Sequence, residues 1–173
     1  MKKTLIIAMA CIATLFAACK KPVEPTPDPV DYTPTYVGNY LGQFDFNITS
    51  VNNQAQTLAF TIDNIGMDIA KGTAFNAITA TVTVDNETRQ TSGTATEEKA
   101  DFESVNLIID KPDQNYYFEL SLKMEGTKAG SDSLNIVGTF SGSGKATIFT
   151  PQGPFEQVFN EVSGNLNGNL EKQ

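Results

Sequence analysis

Two serines and a lysine stand close together late in the chain, in a segment that reads GTFSGSGKA. Ser141 and Ser143 precede Lys145, and a lysine can activate a serine nucleophile by taking its hydroxyl proton. A glycine–serine hairpin with a solvated lysine is the competing interpretation. The chain contains no histidine, which removes the usual general base and the commonest zinc ligand. We therefore predict a protein that is not an enzyme, with no catalytic residue and no cofactor.

The acidic residues form no recognisable metal site. Glu97, Glu98 and residues 85–87 could bind calcium, but their spacing does not match an EF-hand loop, and solvated acidic loops are the alternative. Lys145 is followed by Ala146, so the glycine-rich segment also lacks the complete phosphate-loop pattern. The net charge of −8 repels nucleic-acid phosphates. We predict no metal and no nucleic-acid partner.

The first residues carry an export pattern. Lys2 and Lys3 precede an apolar run at residues 5–18. This run is too short to cross a bilayer as a helix, which takes about 20 residues. Residues 1–18 are therefore predicted to be a signal peptide rather than a membrane span.

The end of that run, FAAC at residues 16–19, resembles the lipobox of bacterial lipoproteins. The resemblance implies that diacylglycerol is attached to the Cys19 thiol, that cleavage occurs just before Cys19, and that acyl chains such as palmitate hold the protein to a membrane. AMAC at residues 8–11 is a rival ending in Cys11, with a much shorter apolar core. An ordinary secretory signal with an incidental cysteine is a third interpretation. The expected location is the bacterial cell envelope, at the outer membrane and facing the periplasm.

A proline-rich segment follows at residues 19–35. Proline has no backbone N–H and favours extended polyproline conformations, so this segment is predicted to be a semi-rigid tether. A docking motif for a proline-binding module is the alternative. The prolines are Pro22, Pro25, Pro27, Pro29 and Pro34.

Apolar and polar residues alternate with a period of two from residue 36 onward. Phe44, Phe46 and Ile48 share one face of the first segment, and ITATVTV at residues 78–84 repeats the pattern. One apolar and one polar face are typical of an antiparallel sheet with one side in water. Residues 36–173 are therefore predicted to form an all-β domain, an antiparallel up-and-down barrel of about eight strands. A two-sheet β-sandwich is the alternative.

Three segments share the pattern glycine, any residue, large apolar residue, any residue, glycine. They are residues 38–42, 138–142 and 164–168. Two glycines four residues apart lie on one strand face, where missing side chains let strands coil or approach closely. If the first and last strands pair, their glycines could lie together at a barrel seam. Chance repetition in a chain with 13 glycines is the alternative.

The opening strand, YVGNYLGQFDF at residues 36–46, resembles that of calycin-like or lipocalin-like domains in small bacterial lipoproteins. Gly38-Asn39-Tyr40 stands where lipocalins carry G-x-W. Together with the lipobox, the proline-rich tether and the glycine-containing last strand, this resemblance implies an eight-stranded up-and-down barrel with room for an interior ligand.

The aromatic face of this barrel is the candidate ligand site. A barrel of about eight strands is just wide enough for its own side chains or for one small ligand. We therefore predict binding of a small apolar ligand, and a core filled by the same side chains is the alternative. The predicted lining residues are Tyr40, Phe44, Phe46, Phe60, Phe118 and Phe140.

The outer face suggests a second function. Thr79, Thr81 and Thr83 alternate along one strand, and a threonine-rich surface on a tethered domain favours a structural or adhesion module that contacts another envelope protein. Ser133, within Asp132-Ser133-Leu134, resembles an O-glycosylation site of exported bacterial proteins. A turn aspartate before a strand is the alternative for that tripeptide.

Overall fold

The computed structural model describes residues 27–84, 87–112 and 115–173. Asp31–Gln173 form one compact unit. The predictions for residues 1–18, including Cys11, and for Cys19 lie outside the described residues. The described elements are α1 (Thr33–Tyr36), β1 (Gly38–Val51), β2 (Gln54–Lys71), β3 (Ala77–Val84), β4 (Glu87–Ala95), β5 (Ala100–Phe102), β6 (Val105–Lys111), β7 (Tyr116–Lys128), β8 (Ser133–Thr150) and β9 (Gly153–Lys172).

The strands form one antiparallel sheet that closes on itself. Hydrogen-bonded neighbours follow the order β5-β4-β3-β2-β1-β9-β8-β7-β6, and β5 also pairs with β7. Since β5 and β6 lie one after the other along the same edge of β7, the ring contains eight strands in cross-section. The predicted all-β antiparallel fold is confirmed, as a single closed sheet rather than the two packed sheets of a sandwich.

The strands of the ring are staggered. Following the registers from β1 through β2 and on around the ring returns to β1 displaced by about ten residues, the kind of shear that closing a sheet requires. The strands therefore tilt against the ring axis. A bulge in β2 opposite Gly42–Phe44, and register shifts between Ile48 and Ser50 of β1 against both neighbouring strands, help the long strands to bend around the core.

The shortest strand closes the ring. Ala100–Phe102 of β5 pair with the end of β4, and only Ala100 and Asp101 pair with β7. Just beyond, the Thr91 hydroxyl donates to the Glu103 carbonyl at 2.8 Å. The first residues of β4 pair only with β3, while β6 pairs only with β7. One side of the wall is therefore joined over a short length.

Inward-facing side chains fill the ring. The alternation seen in the sequence places apolar residues inside and polar residues outside along each strand, as in a sheet with one dry face. Burial of this apolar surface is the main stabilising contribution to the fold. Members of the core from every strand include Phe44, Ile62, Val82, Ala95, Phe102, Leu107, Leu122, Ile136 and Leu166.

Glycines and large side chains alternate where β1, β9 and β8 meet. The first and last strands pair, and in their register Gly168 lies opposite Phe44. Each glycine of the repeated pattern thus faces a large side chain rather than another glycine. A Cβ at Gly164 would collide with the Asn47 carbonyl, and one at Gly168 would collide with the Phe44 ring. The glycines are therefore needed for close approach of these strands.

The compact unit begins at Asp31, within the range 19–35 predicted to be tether. Thr33 and Tyr36 of α1 are fully buried. The Tyr32 N–H donates to the Asn76 side chain at 2.8 Å, and Asp31 forms an ion pair with Lys71. Pro34 is the second residue of α1, in the first turn, where its fixed φ and missing donor are tolerated. The last residues of the predicted tether therefore pack on the ring.

The two ends of the ring differ. α1 lies at the end that holds the start of β1 and the β2–β3 turn, and it covers that end. At the opposite end the β8–β9 hairpin projects: β9 leaves β1 beyond the Val51–Val162 pair, and β7 leaves β8 beyond Tyr116–Ala146. The Thr147 N–H still donates to the Asn115 carbonyl at 2.8 Å, and residues 148–155 of this hairpin are paired only with one another.

Candidate functional site

The six aromatic residues predicted to line a ligand site all point into the ring. Five are buried and Phe60 is half-buried. They divide into two groups, because Tyr40 lies near α1 while the phenylalanines cluster towards the hairpin end. The phenylalanines contact one another: the ring centroids of Phe46 and Phe140 lie 5.4 Å apart, and those of Phe44 and Phe46 lie 6.3 Å apart.

A row of nearly parallel aromatic rings crosses the interior. Phe46 and Phe60 stack at 4.9 Å, Phe60 and Phe118 at 5.4 Å, and Phe118 and Phe159 at 6.2 Å between centroids. β2, which carries Phe60, and β7, which carries Phe118, lie on opposite sides of the eight-strand ring. Offset stacking of this kind adds to the stabilisation from burial. These side chains therefore bridge the lumen.

Tyr40 belongs to the closed end. Its hydroxyl donates to the Tyr36 carbonyl at 2.9 Å, and the ammonium groups of Lys128 and Lys172 lie 5.6 and 6.0 Å from its ring centroid. Burial raises the pKa of Tyr40, and the Lys172 charge partly opposes that rise. Tyr40 therefore anchors α1 to the ring.

Phe159 and Tyr116 also belong to the aromatic cluster, although neither is among the six predicted lining residues. Phe159 is buried against Phe118, and Tyr116, which shares the apolar strand face of Phe118, packs on Phe60 at 5.4 Å. Strict alternation counted back from Val162 predicts that Val158 faces inward. The structure places Phe159 inward because the β8–β9 register shifts at Gly142–Gly144, which changes the phase of the alternation.

The serines and the lysine of the GTFSGSGKA segment lie on the outer wall of the ring. The Lys145 ammonium pairs with the Glu156 carboxylate at 3.0 Å. Neither Ser141 nor Ser143 forms a side-chain hydrogen bond within the described residues. The structure therefore does not join either serine to Lys145 through a hydrogen bond.

The predicted modification site lies at the closed end. Ser133 is the first residue of β8, and its hydroxyl donates to the Ala129 carbonyl at 2.9 Å. Asp132 precedes it in an exposed turn, and its side chain accepts from Ser131 at 2.7 Å. Modification of Ser133 stays a prediction.

Polar residues line the outer face of β3. Thr79 is exposed, whereas Thr81 and Thr83 are partly covered by neighbours on β4. The Gln90 amide donates to Thr81 at 3.4 Å. This threonine row is therefore partly engaged within the sheet.

The projecting hairpin carries the largest exposed apolar side chains. Phe149 is 70% exposed, Phe155 59% and Val158 53%. Pro154 lies opposite Phe149, and Phe155 lies on the same strand face as Phe159. Apolar side chains are thus displayed on both faces of a two-stranded ribbon. Clustered exposed apolar surface of this kind marks interaction sites.

Other kinds of binding site are scarce among the described residues. No group of three or more potential metal ligands occurs among them. The described part of the chain also contains no helix that is both long and apolar enough to cross a membrane. Open grooves on the outer wall and near the hairpin have volumes between about 190 and about 540 Å³.

No protein-family model matches the chain, and no curated protein matches it significantly.

Proposed function

We propose that this chain is a lipid-anchored protein of the bacterial cell envelope that acts by contacting another envelope protein rather than by catalysis. The proposal of an anchor rests on the export pattern of residues 1–18 and on the resemblance of the residues before Cys19 to a lipobox. Membership of the calycin-like lipoproteins, and a location at the outer membrane facing the periplasm, are part of the same proposal.

The apolar hairpin supports a role in protein contact. Phe149 and Phe155 expose large apolar surface on a ribbon that projects beyond the rest of the ring, and Val158 lies exposed at its base. Side chains that only stabilise the fold would be buried, as Phe46 and Phe118 are. Aromatic residues are enriched at the centres of protein interfaces, where they contribute most of the binding energy.

The position of the hairpin also fits this role. The chain enters the compact unit at Asp31, next to Lys71 and the β2–β3 turn. The β8–β9 turn lies at the opposite end of the ring. The apolar ribbon is therefore at the end remote from the point where the N-terminal segment attaches.

Crosslinking in intact cells tests the contact. A photo-crosslinking phenylalanine analogue at position 149 should give a specific adduct larger than the monomer. The same analogue at position 137, an exposed apolar position on the outer wall of β8, is the matched control and should not give that adduct. Recovery of monomer alone from position 149 would overturn the proposed contact.

Palmitate labelling tests the anchor. Cys19→Ser should abolish incorporation of labelled palmitate and release the protein from the membrane fraction, whereas Cys11→Ser should leave both unchanged. Labelling that survives Cys19→Ser would overturn the proposed attachment.

Binding of a small apolar ligand is the second candidate function. It is favoured by Phe60 and Tyr116, which are only partly buried where the aromatic cluster faces the hairpin end. Fluorescence of the neutral probe N-phenylnaphthylamine should rise with the wild-type protein and rise less with Phe60→Ser. No rise with the wild-type protein would contradict this candidate.

A further inference from the structure

A transverse row of serines crosses the outer wall of the ring. Ser50, Ser163, Ser141 and Ser121 lie side by side on β1, β9, β8 and β7. Asn106 on β6 continues the row opposite Ser121. Neighbouring strands are about 4.8 Å apart, so the four hydroxyl groups extend over about 14 Å.

The row forms the floor of a groove. One depression of about 540 Å³ includes Ser121 and Ser141, and a second of about 190 Å³ includes Ser50 and Ser163. The two share Ser141 and Gly142, so they are continuous along the row. The larger depression alone falls within the size range of small-molecule sites.

The hydroxyl and amide side chains of the groove have no hydrogen-bond partner among the residues that the structure describes. The hydroxyls of the serine row form no side-chain hydrogen bond within the described residues, and neither do Ser143 and the side-chain amides of Asn106 and Asn160. Hydroxyl and amide groups both donate and accept hydrogen bonds. The groove thus offers a dense set of free donors and acceptors in fixed positions.

The charges of the groove disfavour an anionic ligand. Arg89 lies at one end, but its guanidinium already pairs with Glu87 at 2.8 Å. Glu119 and Glu161 also line the depressions, and the Glu119 carboxylate accepts from the Tyr117 hydroxyl. A ligand with its own carboxylates or phosphates would therefore be repelled.

The floor of the groove combines polar and apolar surface. Leu107, Leu120 and Val162 are buried, so their side chains point into the ring and away from the groove. At the serine row β7, β8 and β9 are each paired on both sides, whereas β6, which carries Asn106, pairs only with β7 and has an open edge at the margin of the groove. Along the row itself the side chains on the outer face carry hydroxyl and amide groups.

We propose that this groove binds a neutral, linear oligosaccharide, whose many hydroxyl groups match the free hydroxyl and amide groups of the serine row. The half-buried side chain of Ile108 supplies an apolar contact for the C–H face of a sugar ring at one end of the groove. The groove lies on the wall of the ring and not on the projecting hairpin. Its test is therefore independent of the proposed protein contact.

Titration calorimetry with defined oligosaccharides tests the proposal. The full chain is purified in a detergent without a sugar headgroup, because such a headgroup would compete. Cellohexaose, xylohexaose and mannohexaose serve as neutral probes, and hexagalacturonic acid as the anionic one. We expect saturable binding of at least one neutral probe at micromolar to millimolar concentration, and weaker binding of the anionic probe.

Two leucine substitutions provide the matched comparison. Ser141→Leu fills the floor of the groove and should weaken binding by at least about tenfold, because several hydrogen bonds are lost together. Thr139→Leu adds the same side chain two residues away on the exposed face of β8 and should leave affinity unchanged. Binding that survives Ser141→Leu, or equal affinity for hexagalacturonic acid, would overturn the proposal.

Chemical-shift mapping on the wild-type protein covers the case in which a variant does not fold. The neutral probe that binds should perturb the backbone amides of Ser121, Ser141 and Ser163. Perturbations confined to other parts of the ring, or no binding of any neutral probe at millimolar concentration, would contradict the assignment.

Discussion

Aromatic residues are buried at one end of the ring and exposed to solvent at the other. At the closed end Tyr36 and Tyr40 are buried, and the hydroxyl of one donates to the main chain of the other. At the hairpin end Phe149 and Phe155 remain largely in water. Since burying a large apolar side chain stabilises a protein by about 1.5–3 kcal/mol, leaving two of them exposed forgoes stability. The difference separates residues that maintain the fold from residues available for contact.

The aromatic row lies at the boundary between the packed core and the projecting β8–β9 hairpin. Phe46, Phe60, Phe118 and Phe159 stack across the lumen. Everything from this row to α1 is packed core, whereas the hairpin beyond it is a free two-stranded ribbon. Substitutions in the packed core should lower stability more than substitutions in the hairpin.

Phe46→Ala should cause the largest loss of stability. The Phe46 ring contacts Phe44, Phe60 and Phe140, so its removal leaves a cavity at the centre of the row. We expect the free energy of unfolding to fall by about 3–5 kcal/mol, measured by urea denaturation. Phe75→Ala removes an equally large but exposed side chain and is the control. A loss no larger than that of the control would show that the row does not stabilise the ring.

Tyr36→Ala should have a smaller but still large effect at the closed end. The substitution removes a fully buried ring from α1 and should lower the free energy of unfolding by about 2–4 kcal/mol. It should also lower the pKa of Tyr40, because burial raises that pKa and α1 contributes to the burial. Ultraviolet titration of the tyrosines measures the change.

Thr35→Ala, at an exposed position of the same helical turn, is the control for Tyr36→Ala. An unchanged tyrosine titration together with unchanged stability would indicate that α1 does not seal its end of the ring.

Asp31→Asn should change the acid dependence of stability. Hydrogen bonds from the Lys71 ammonium and from Thr33 lower the pKa of Asp31 from its ordinary value of 3.8 to about 2. A carboxyl group whose pKa is lower in the folded than in the unfolded chain stabilises the folded state at pH values above the unfolded-state pKa. This contribution disappears as the pH falls through the folded-state pKa. The stability difference between wild type and variant should therefore shrink between pH 4 and pH 2, as measured by thermal unfolding.

Asp63→Asn changes an exposed aspartate of β2 and should give no comparable difference in that pH range. A wild-type advantage over Asp31→Asn that stays constant from pH 4 to pH 2 would contradict the role of the Lys71 ion pair.

Phe149→Ser combined with Phe155→Ser should have the smallest effect on stability. Exposed substitutions usually change the free energy of unfolding by less than about 0.5 kcal/mol, and both side chains lie largely in water. The double variant should nevertheless lose the crosslinked adduct in cells. Val137→Ser, on the outer wall of β8, should retain it. A large loss of stability would mean that the hairpin belongs to the core.

Much of the fold was predictable because local alternation sets the phase of each strand. Phe44, Phe46 and Ile48 are buried as their spacing predicted. The glycine pattern raised the possibility that the first and last strands pair, and β1 and β9 do pair, although their glycines face large side chains rather than one another. The interior aromatic face could be identified because alternate residues of a strand lie on one face.

The remaining features depend on contacts distant in sequence. Val158 was expected to face inward, but the register shift near Gly142 turns Phe159 inward instead. The turn between β4 and β5 likewise depends on side-chain contacts, because the Thr96 hydroxyl accepts the Lys99 N–H there. The serine row could not be predicted from the sequence, because its four members lie on four different strands and only the strand register brings them together.

The short strand β5 has a consequence for motion. It is joined to β4 by three residue pairs and to β7 by only two, while β6 presents an unpaired edge. A closed wall fluctuates first at its weakest junction, so transient opening should occur sideways at β5 rather than through either end. Amide hydrogen exchange should then be faster in β4 and β5 than in β9, because the ring opens first at its side.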